Sequence, residues 1–260
     1  MSVHDHPIQI AKRYLPKEAT LVNIDSPVPH PAVYAADITG DGIPEIMAVY
    51  KFNNELYLMV LVYRHGRYEV ASRIKGPGYN VTYMAAMPII KSGINNLVIG
   101  WQIGSIWSKL SVYAWMAAGL VDVAPDDMSY SRIHIEDMPG PGGRDGLAEI
   151  ALWIHDTGNA YRVEVVRWNQ GAFVPAPEVY PYYFPVVVRY YEKLTKEHPD
   201  YDFYWYYLAD AQYKAVNPEA ALVSVRRALA LPNPYPSRET LLDLERKIKQ
   251  SLEGSGRFDS

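Results

Sequence analysis

Three segments of this 260-residue chain align with one another at a nearly constant spacing. They are EIMAVYK (Glu45–Lys51), NLVIGWQ (Asn96–Gln102) and EIALWIH (Glu149–His155). Their first residues lie 51 and 53 positions apart (45 to 96, then 96 to 149), and each segment follows a turn that contains glycine. Because a sequence that repeats at a fixed period folds into repeated structural units, this spacing constrains the fold more strongly than composition does.

Each aligned segment belongs to a unit of four strand-like runs. Short runs of apolar and aromatic residues with turn residues between them predict antiparallel β-strands. An apolar run precedes each aligned segment and two more follow it, while the turns RHGR, MAAGL and NQGAF occupy matching places. We therefore predict three four-stranded antiparallel units at about 31–76, 82–126 and 131–178. Residues 1–30 are expected to form an N-terminal segment with one short helix.

The turns before the aligned segments carry a second signal. DITGDGIPEI and GRDGLAEIALW resemble the FG-GAP/VCBS repeats of integrin-type β-propellers, and the resemblance covers roughly residues 31–178. It implies propeller-like blades with an Asp-rich calcium loop between the first two strands of each blade. Because closed propellers hold typically about 4–8 blades, three units predict an open or incomplete propeller.

The first of these turns has the composition of a calcium loop. Calcium prefers hard oxygen ligands from a short loop that turns sharply. The resemblance implies ligands at loop positions 1, 3, 5, 7 and 9, which hold Asp37, Thr39, Asp41, Ile43 and Glu45, with Ile43 contributing its backbone carbonyl. The alternative is a metal-free β-turn in which Asp37 and Asp41 accept backbone N–H groups.

The other two copies of the turn differ in their acidic residues. The third copy offers Asp137, Asp145 and Glu149 as a weaker candidate metal site, with the insertion PGPGG between the two aspartates. The second copy has Asn96 at the position of the glutamates and lacks carboxylates altogether. We therefore expect a plain turn in the second unit.

The hydrophobic pattern changes from a period of two residues to about 3.6 residues near Pro181, which predicts helices. We expect an all-α domain over 179–260, and so an α+β chain in two parts, joined by the Pro- and Tyr-rich segment PAPEVYPYYFP as a stiff connector. Asn217 and Ser237 are predicted N-caps. The hairpin at about 202–231 resembles a tetratricopeptide repeat through these spaced residues: Trp205, Leu208, Ala209, Ala221, Val225, Ala228 and Leu229.

Composition narrows the range of functions. The net charge of −4 gives no electrostatic basis for binding nucleic acid or anionic membranes. Cysteine is absent, so disulfides, thiol catalysis and thiolate-bound metals are excluded. No apolar run reaches about 18 residues and the chain starts without a signal-peptide pattern, so we expect no membrane insertion and a cytoplasmic location. Since the resembled repeats are often extracellular, a removed leader stays open as the alternative.

We expect a non-catalytic binding or scaffold protein, because two interaction-type repeats occur without a recognisable catalytic arrangement. A protein or peptide is the expected partner, carbohydrate is a second option, and calcium is the cofactor that the resemblance implies. The alternative is a hydrolase of glycans or peptides with loop carboxylates on one face of the β repeats. Asp156-Thr157-Gly158 resembles the aspartic-protease triplet, but it occurs once where that chemistry needs two aspartates, so we predict a turn there.

Overall fold

A computed structural model describes residues 6–25, 28–232 and 234–255 of the chain. Its internal contacts divide the protein into two compact units. The first contains the chain up to Asp137 together with Gly146–Leu152 and Val166–Val174. The second contains Met138–Asp145, Trp153–Val165 and the chain from Pro175 onward. Antiparallel sheets precede a run of helices, so the predicted α+β order is confirmed.

The first sheet follows a short N-terminal region. That region contains α1 (Pro7–Tyr14), β1 (Thr20–Leu21), β2 (Asn23–Ile24) and β3 (His30–Pro31), with β2 and β3 paired to each other. The sheet itself is an antiparallel meander of β4 (Val33–Ala36), β5 (Glu45–Phe52), β6 (Glu55–Arg64) and β7 (Arg67–Lys75). Strand β1 pairs with the same edge of β5 as β4 does, beyond the N-terminal end of β4.

The second and third units repeat the four-stranded order of the first. The second sheet contains β8 (Asn80–Lys91), β9 (Ile94–Gln102), β10 (Ser108–Met116) and β11 (Gly119–Asp122), and β12 (Ser129–Tyr130) pairs with β10. The third sheet contains β13 (Arg132–Glu136), β14 (Glu149–His155), β15 (Tyr161–Asn169) and β16 (Ala172–Pro175). No closed barrel or propeller is found among the described residues.

Strand β5 is buried on both faces, which explains its nearly continuous apolar sequence. Met47 and Val49 pack with residues of the second sheet, including the fully buried Trp101. The alternate residues Ile46 and Ala48 pack on the opposite face against α1. Because side chains on a strand alternate between faces, one strand of period two serves two hydrophobic cores.

The helical part contains a 3₁₀ turn, Pro177–Val179, followed by α2 (Tyr180–Glu197), α3 (Asp202–Lys214), α4 (Pro218–Ala230) and α5 (Arg238–Ser255). Asn217 accepts the Ala220 N–H and Ser237 accepts the Thr240 N–H, so both predicted N-caps are confirmed. The core of the last three helices uses small and branched residues: Ala209, Ala221, Val225, Ala228, Leu241, Leu244 and Ile248. Within the described residues, no helix is long and apolar enough to span a membrane.

The Pro- and Tyr-rich segment, expected to be a stiff connector, is largely helical. It forms the 3₁₀ turn and the first turns of α2, with Pro181 at the helix start and Pro185 inside the helix. Proline is tolerated in the first turn because the N–H that it lacks has no partner there. Tyr183 and Phe184 are buried, and this packing favours the helix over an extended connector.

Candidate functional site

The loop between β4 and β5 is closed by hydrogen bonds from its own backbone. Asp37 accepts the Gly40 N–H through Oδ1 at 2.7 Å and the Gly42 N–H through Oδ2 at 2.8 Å. Asp41 Oδ1 accepts the Ile43 N–H at 2.8 Å. Gly40 and Gly42 have φ angles of +83° and +84°, which glycine adopts without the strain that a side chain would introduce. These hydrogen bonds are the ones expected of a turn in which Asp37 and Asp41 accept backbone N–H groups.

Glu45, the last candidate ligand of this loop, is turned away from solvent and is 1% exposed. Its Oε2 accepts the N–H groups of Ile38 and Thr39 at 3.0 and 3.2 Å. Burial raises the pKa of the Glu45 carboxyl, the two N–H groups oppose that shift, and the charges of Asp41 and Asp37 add to it. The pKa of Asp37 is lowered, because the N–H donors of the loop together outweigh the effect of burial.

The equivalent position of the second unit has the same role with a neutral side chain. Asn96 is buried, and its Oδ1 accepts the N–H groups of Ile89 and Ile90 at 3.1 and 3.0 Å. Glu149, at the start of β14, is also 1% exposed. The three positions aligned by sequence therefore each place a buried side-chain oxygen at the start of a central strand. Glu45 and Asn96 thus supply the same kind of acceptor oxygen, from a charged side chain in one unit and a neutral one in the other.

The loops also connect consecutive units. Asn95 donates its backbone N–H and its Nδ2 group to the Asp37 carbonyl oxygen, at 3.3 and 3.0 Å. In the next pair of units, the Ala148 N–H donates to the Pro88 carbonyl oxygen at 2.7 Å. These contacts give the loops a structural role that does not depend on metal.

The weaker candidate metal residues are distributed over both units. Asp137 accepts the Gly146 N–H through Oδ2 at 3.0 Å, while its Oδ1 is buried without a hydrogen-bond partner in the described structure. Glu149 lies 4.0 Å from the Arg167 guanidinium and belongs to the first compact unit, whereas Asp145 belongs to the second compact unit. Within the described part of the chain, no group of three or more acidic or histidine side chains is placed to hold a metal ion. Calcium at either loop stays a prediction.

Asp156 is an acidic position with a different environment, in the turn after β14. Its N–H donates to the Ala160 carbonyl at 2.9 Å, and the Ala160 N–H donates to the Thr157 carbonyl at 2.7 Å, so the predicted turn is confirmed. The carboxylate accepts the Tyr207 hydroxyl at 2.8 Å and the Tyr235 hydroxyl at 2.7 Å, one on each oxygen. Burial and then Asp156 raise the pKa of Tyr207, and the hydrogen bond to Asp156 raises that of Tyr235. Both phenols therefore remain donors at neutral pH.

These groups line a pocket of about 270 Å³ within the second compact unit. We call it the Asp156 pocket. Its lining residues are Ile154, His155, Asp156, Arg162, Tyr206, Tyr207, Tyr235 and Pro236. Since this set contains one carboxylate, the pocket does not supply the carboxylate pair that a hydrolase of glycans requires. The sequence reasoning missed the pocket, because Asp156 lies 51 and 79 positions from its two tyrosine partners. The unusual number of tyrosines, 22, was the available signal.

A wider groove of about 600 Å³ crosses α2, α3 and α4, and we call it the α3 groove. Its lining residues are Glu192, Thr195, Lys196, Trp205, Leu208, Gln212, Ala220, Val223 and Ser224. Val223 is 70% exposed, and Trp205 is held by a 2.8 Å hydrogen bond from its indole N–H to the Pro199 carbonyl. The groove therefore has both apolar and polar side chains in its lining, and the indole of Trp205 is held by a hydrogen bond.

Comparisons with known proteins add no family assignment. No protein-family model matches the chain, and a search of curated proteins finds no similar sequence.

Proposed function

We propose that this chain is a non-catalytic binding protein that holds a short polypeptide segment in the α3 groove. The observation that carries the proposal is the groove itself, which has a volume of about 600 Å³ and is lined by side chains of three helices. Trp205, Leu208 and Val223 supply apolar contact area, and Glu192 and Lys196 supply one charge of each sign at the α2 side. This combination suits an amphipathic peptide better than a uniformly charged one.

The framework of this binding protein is part of the same proposal. The three sheets are FG-GAP-like blades in an open propeller-like arrangement, and α3 with α4 is a tetratricopeptide-like hairpin. Support for the blades comes from the shared buried acceptor at Glu45 and Asn96 and from the contacts between consecutive loops. Support for the hairpin comes from Ala209 and Ala221, which are fully buried where the helices meet. Calcium in the first loop is a stabilising addition to this framework.

Selection from a peptide display library tests the proposal. The wild-type protein should enrich a family of peptides, and Val223→Asp should weaken their binding at least about tenfold, because it places a charge where an apolar contact is made. Leu242→Asp is the matched control, since Leu242 is also an exposed apolar residue, at 42%, but lies on α5 outside the groove. Equal binding by the Val223 variant, or the absence of any enriched family, contradicts the proposed function.

A further inference from the structure

The Asp156 pocket supports an inference that does not depend on the peptide groove. Its lining contains hydrogen-bonding groups of four kinds: the Asp156 carboxylate, the Arg162 guanidinium, the His155 imidazole and the phenol of Tyr206. Each oxygen of Asp156 already accepts one tyrosine hydroxyl, and a carboxylate has about four acceptor sites in total, so acceptor capacity remains. The pocket therefore offers acceptors and donors to the same small ligand.

Tyr206 has an orientation that suits ligand binding. Its ring packs edge to face on the ring of Tyr207, with centroids 4.9 Å apart. Burial raises the pKa of the Tyr206 hydroxyl, and within the described residues this hydroxyl has no protein hydrogen-bond partner. A fixed phenol that lines a pocket without a partner is available to donate to, or accept from, a ligand.

The charges of the pocket are compensated before a ligand enters. Arg162 forms an ion pair with Glu164 at 2.6 Å, and the Asp156 carboxylate is held by two phenol donors. A net anion or cation would have to compete with these partners, whereas a neutral ligand does not. The aromatic walls also favour a ligand with an apolar C–H face over a fully hydrated ion.

The pocket is also small, and the connector between α4 and α5 contributes Tyr235 and Pro236 to its lining. The connector between α4 and α5 is fixed at Tyr235, whose N–H donates to the Asp202 carboxylate and whose hydroxyl donates to Asp156. Because Tyr235 already makes these two hydrogen bonds, a ligand loses little affinity to ordering its side chain. The volume of about 270 Å³ lies just below the range for drug-sized ligands, so the occupant is a single small ring.

We propose that the Asp156 pocket binds one neutral sugar ring. Sugar hydroxyls both donate and accept, so neighbouring hydroxyls can donate to Asp156 and accept from Arg162 and Tyr206, while the C–H face of the ring packs on the tyrosines. The partner class is therefore a neutral monosaccharide or the terminal residue of a glycan.

Saturation-transfer NMR on the full chain tests this inference, with neutral hexoses and N-acetylhexosamines as probes. We expect saturation transfer to at least one neutral sugar, and about tenfold weaker binding in Tyr206→Phe and in Arg162→Gln. Tyr182→Phe is the matched control, because Tyr182 is an exposed tyrosine of α2 outside the pocket. Thermal unfolding of each variant shows whether it is folded, and either pocket variant alone is sufficient for the comparison.

Three outcomes would overturn the proposal: no saturation transfer to any neutral sugar, binding that Tyr206→Phe and Arg162→Gln leave unchanged, or displacement of the sugar by glycine or acetate. The last result would assign the pocket to a zwitterion or an anion. Val223→Asp should leave sugar binding intact, so failure of the peptide proposal and failure of this one give different results.

Discussion

Tyr191→Phe should destabilise the second compact unit far more than removal of a hydroxyl from a surface tyrosine would. Tyr191 is fully buried, and its hydroxyl forms hydrogen bonds with both the backbone N–H and the backbone carbonyl of Tyr161, at the start of β15. It donates to the Tyr161 carbonyl at 2.6 Å and accepts the Tyr161 N–H at 2.7 Å. The substitution removes both hydrogen bonds and leaves the aromatic ring in place.

The expected cost follows from the burial of those two groups. A buried backbone donor or acceptor that loses its partner costs about 1–3 kcal/mol, so two groups together give about 2–6 kcal/mol. Tyr190→Phe is the matched control on the same helix, because the Tyr190 hydroxyl donates to the Asn159 carbonyl at 2.8 Å in an exposed position. Since water can replace that hydrogen bond, the control should cost less than about 1 kcal/mol.

Urea unfolding gives the free energy for both variants, and hydrogen exchange of the Tyr161 amide gives the local effect. In Tyr191→Phe we expect a lower midpoint together with faster exchange at Tyr161, because its N–H no longer has the phenol as acceptor. If the two variants were destabilised equally and the Tyr161 amide stayed protected, the role assigned to the Tyr191 hydroxyl would be refuted.

The remaining predictions concern Gly76, Glu45 and Asp37 of the first compact unit, with Gly142 of the second compact unit as a control. Gly76→Ala should cost about 1–3 kcal/mol in thermal unfolding, because the added Cβ would lie 2.3 Å from the Trp101 ring, while Gly142→Ala, with nothing within 4 Å, should cost little. The raised pKa of Glu45 means that the folded state holds this proton more tightly than the unfolded chain, so the stability of the wild type should fall as the pH rises above the ordinary glutamate pKa of 4.5. Glu45→Gln should remove that fall. A series of melting temperatures against pH in which the variant kept the fall would contradict the raised pKa. If the first loop binds calcium, added calcium should raise the melting temperature, and Asp37→Asn should reduce that rise. A melting temperature that calcium and chelator both leave unchanged would contradict calcium binding.

The repeat and its register could be predicted from the sequence because each unit carries its own turn and strand signals. The alignment of Glu45, Asn96 and Glu149 needed no tertiary information, and all three are buried within the first three residues of their strands. The chemical role of the glutamates could not be predicted in the same way. A carboxylate that binds calcium and one that accepts backbone N–H groups occur in similar loops, and the direction of the side chain distinguishes them.

The helix starts at Asn217 and Ser237 were likewise predictable, since an N-cap is a local hydrogen bond between neighbouring residues. The change of period near Pro181 predicted helices, but not that the expected connector is part of the first one, because proline is locally compatible with a connector and with the start of a helix. Packing of Tyr183 and Phe184 in the core favoured the helix, and packing is not visible in local sequence.

The sequence by itself determined the three β units, their order, the turns between their strands and the change to helices. These features depend on residues within a few positions of one another, where periodicity and turn chemistry act directly. The tertiary structure alone decided the Asp156 pocket, the α3 groove and the bonding of Tyr161 by Tyr191. Each of these joins residues at least 30 positions apart or combines side chains from several elements, so only the folded chain brings them together.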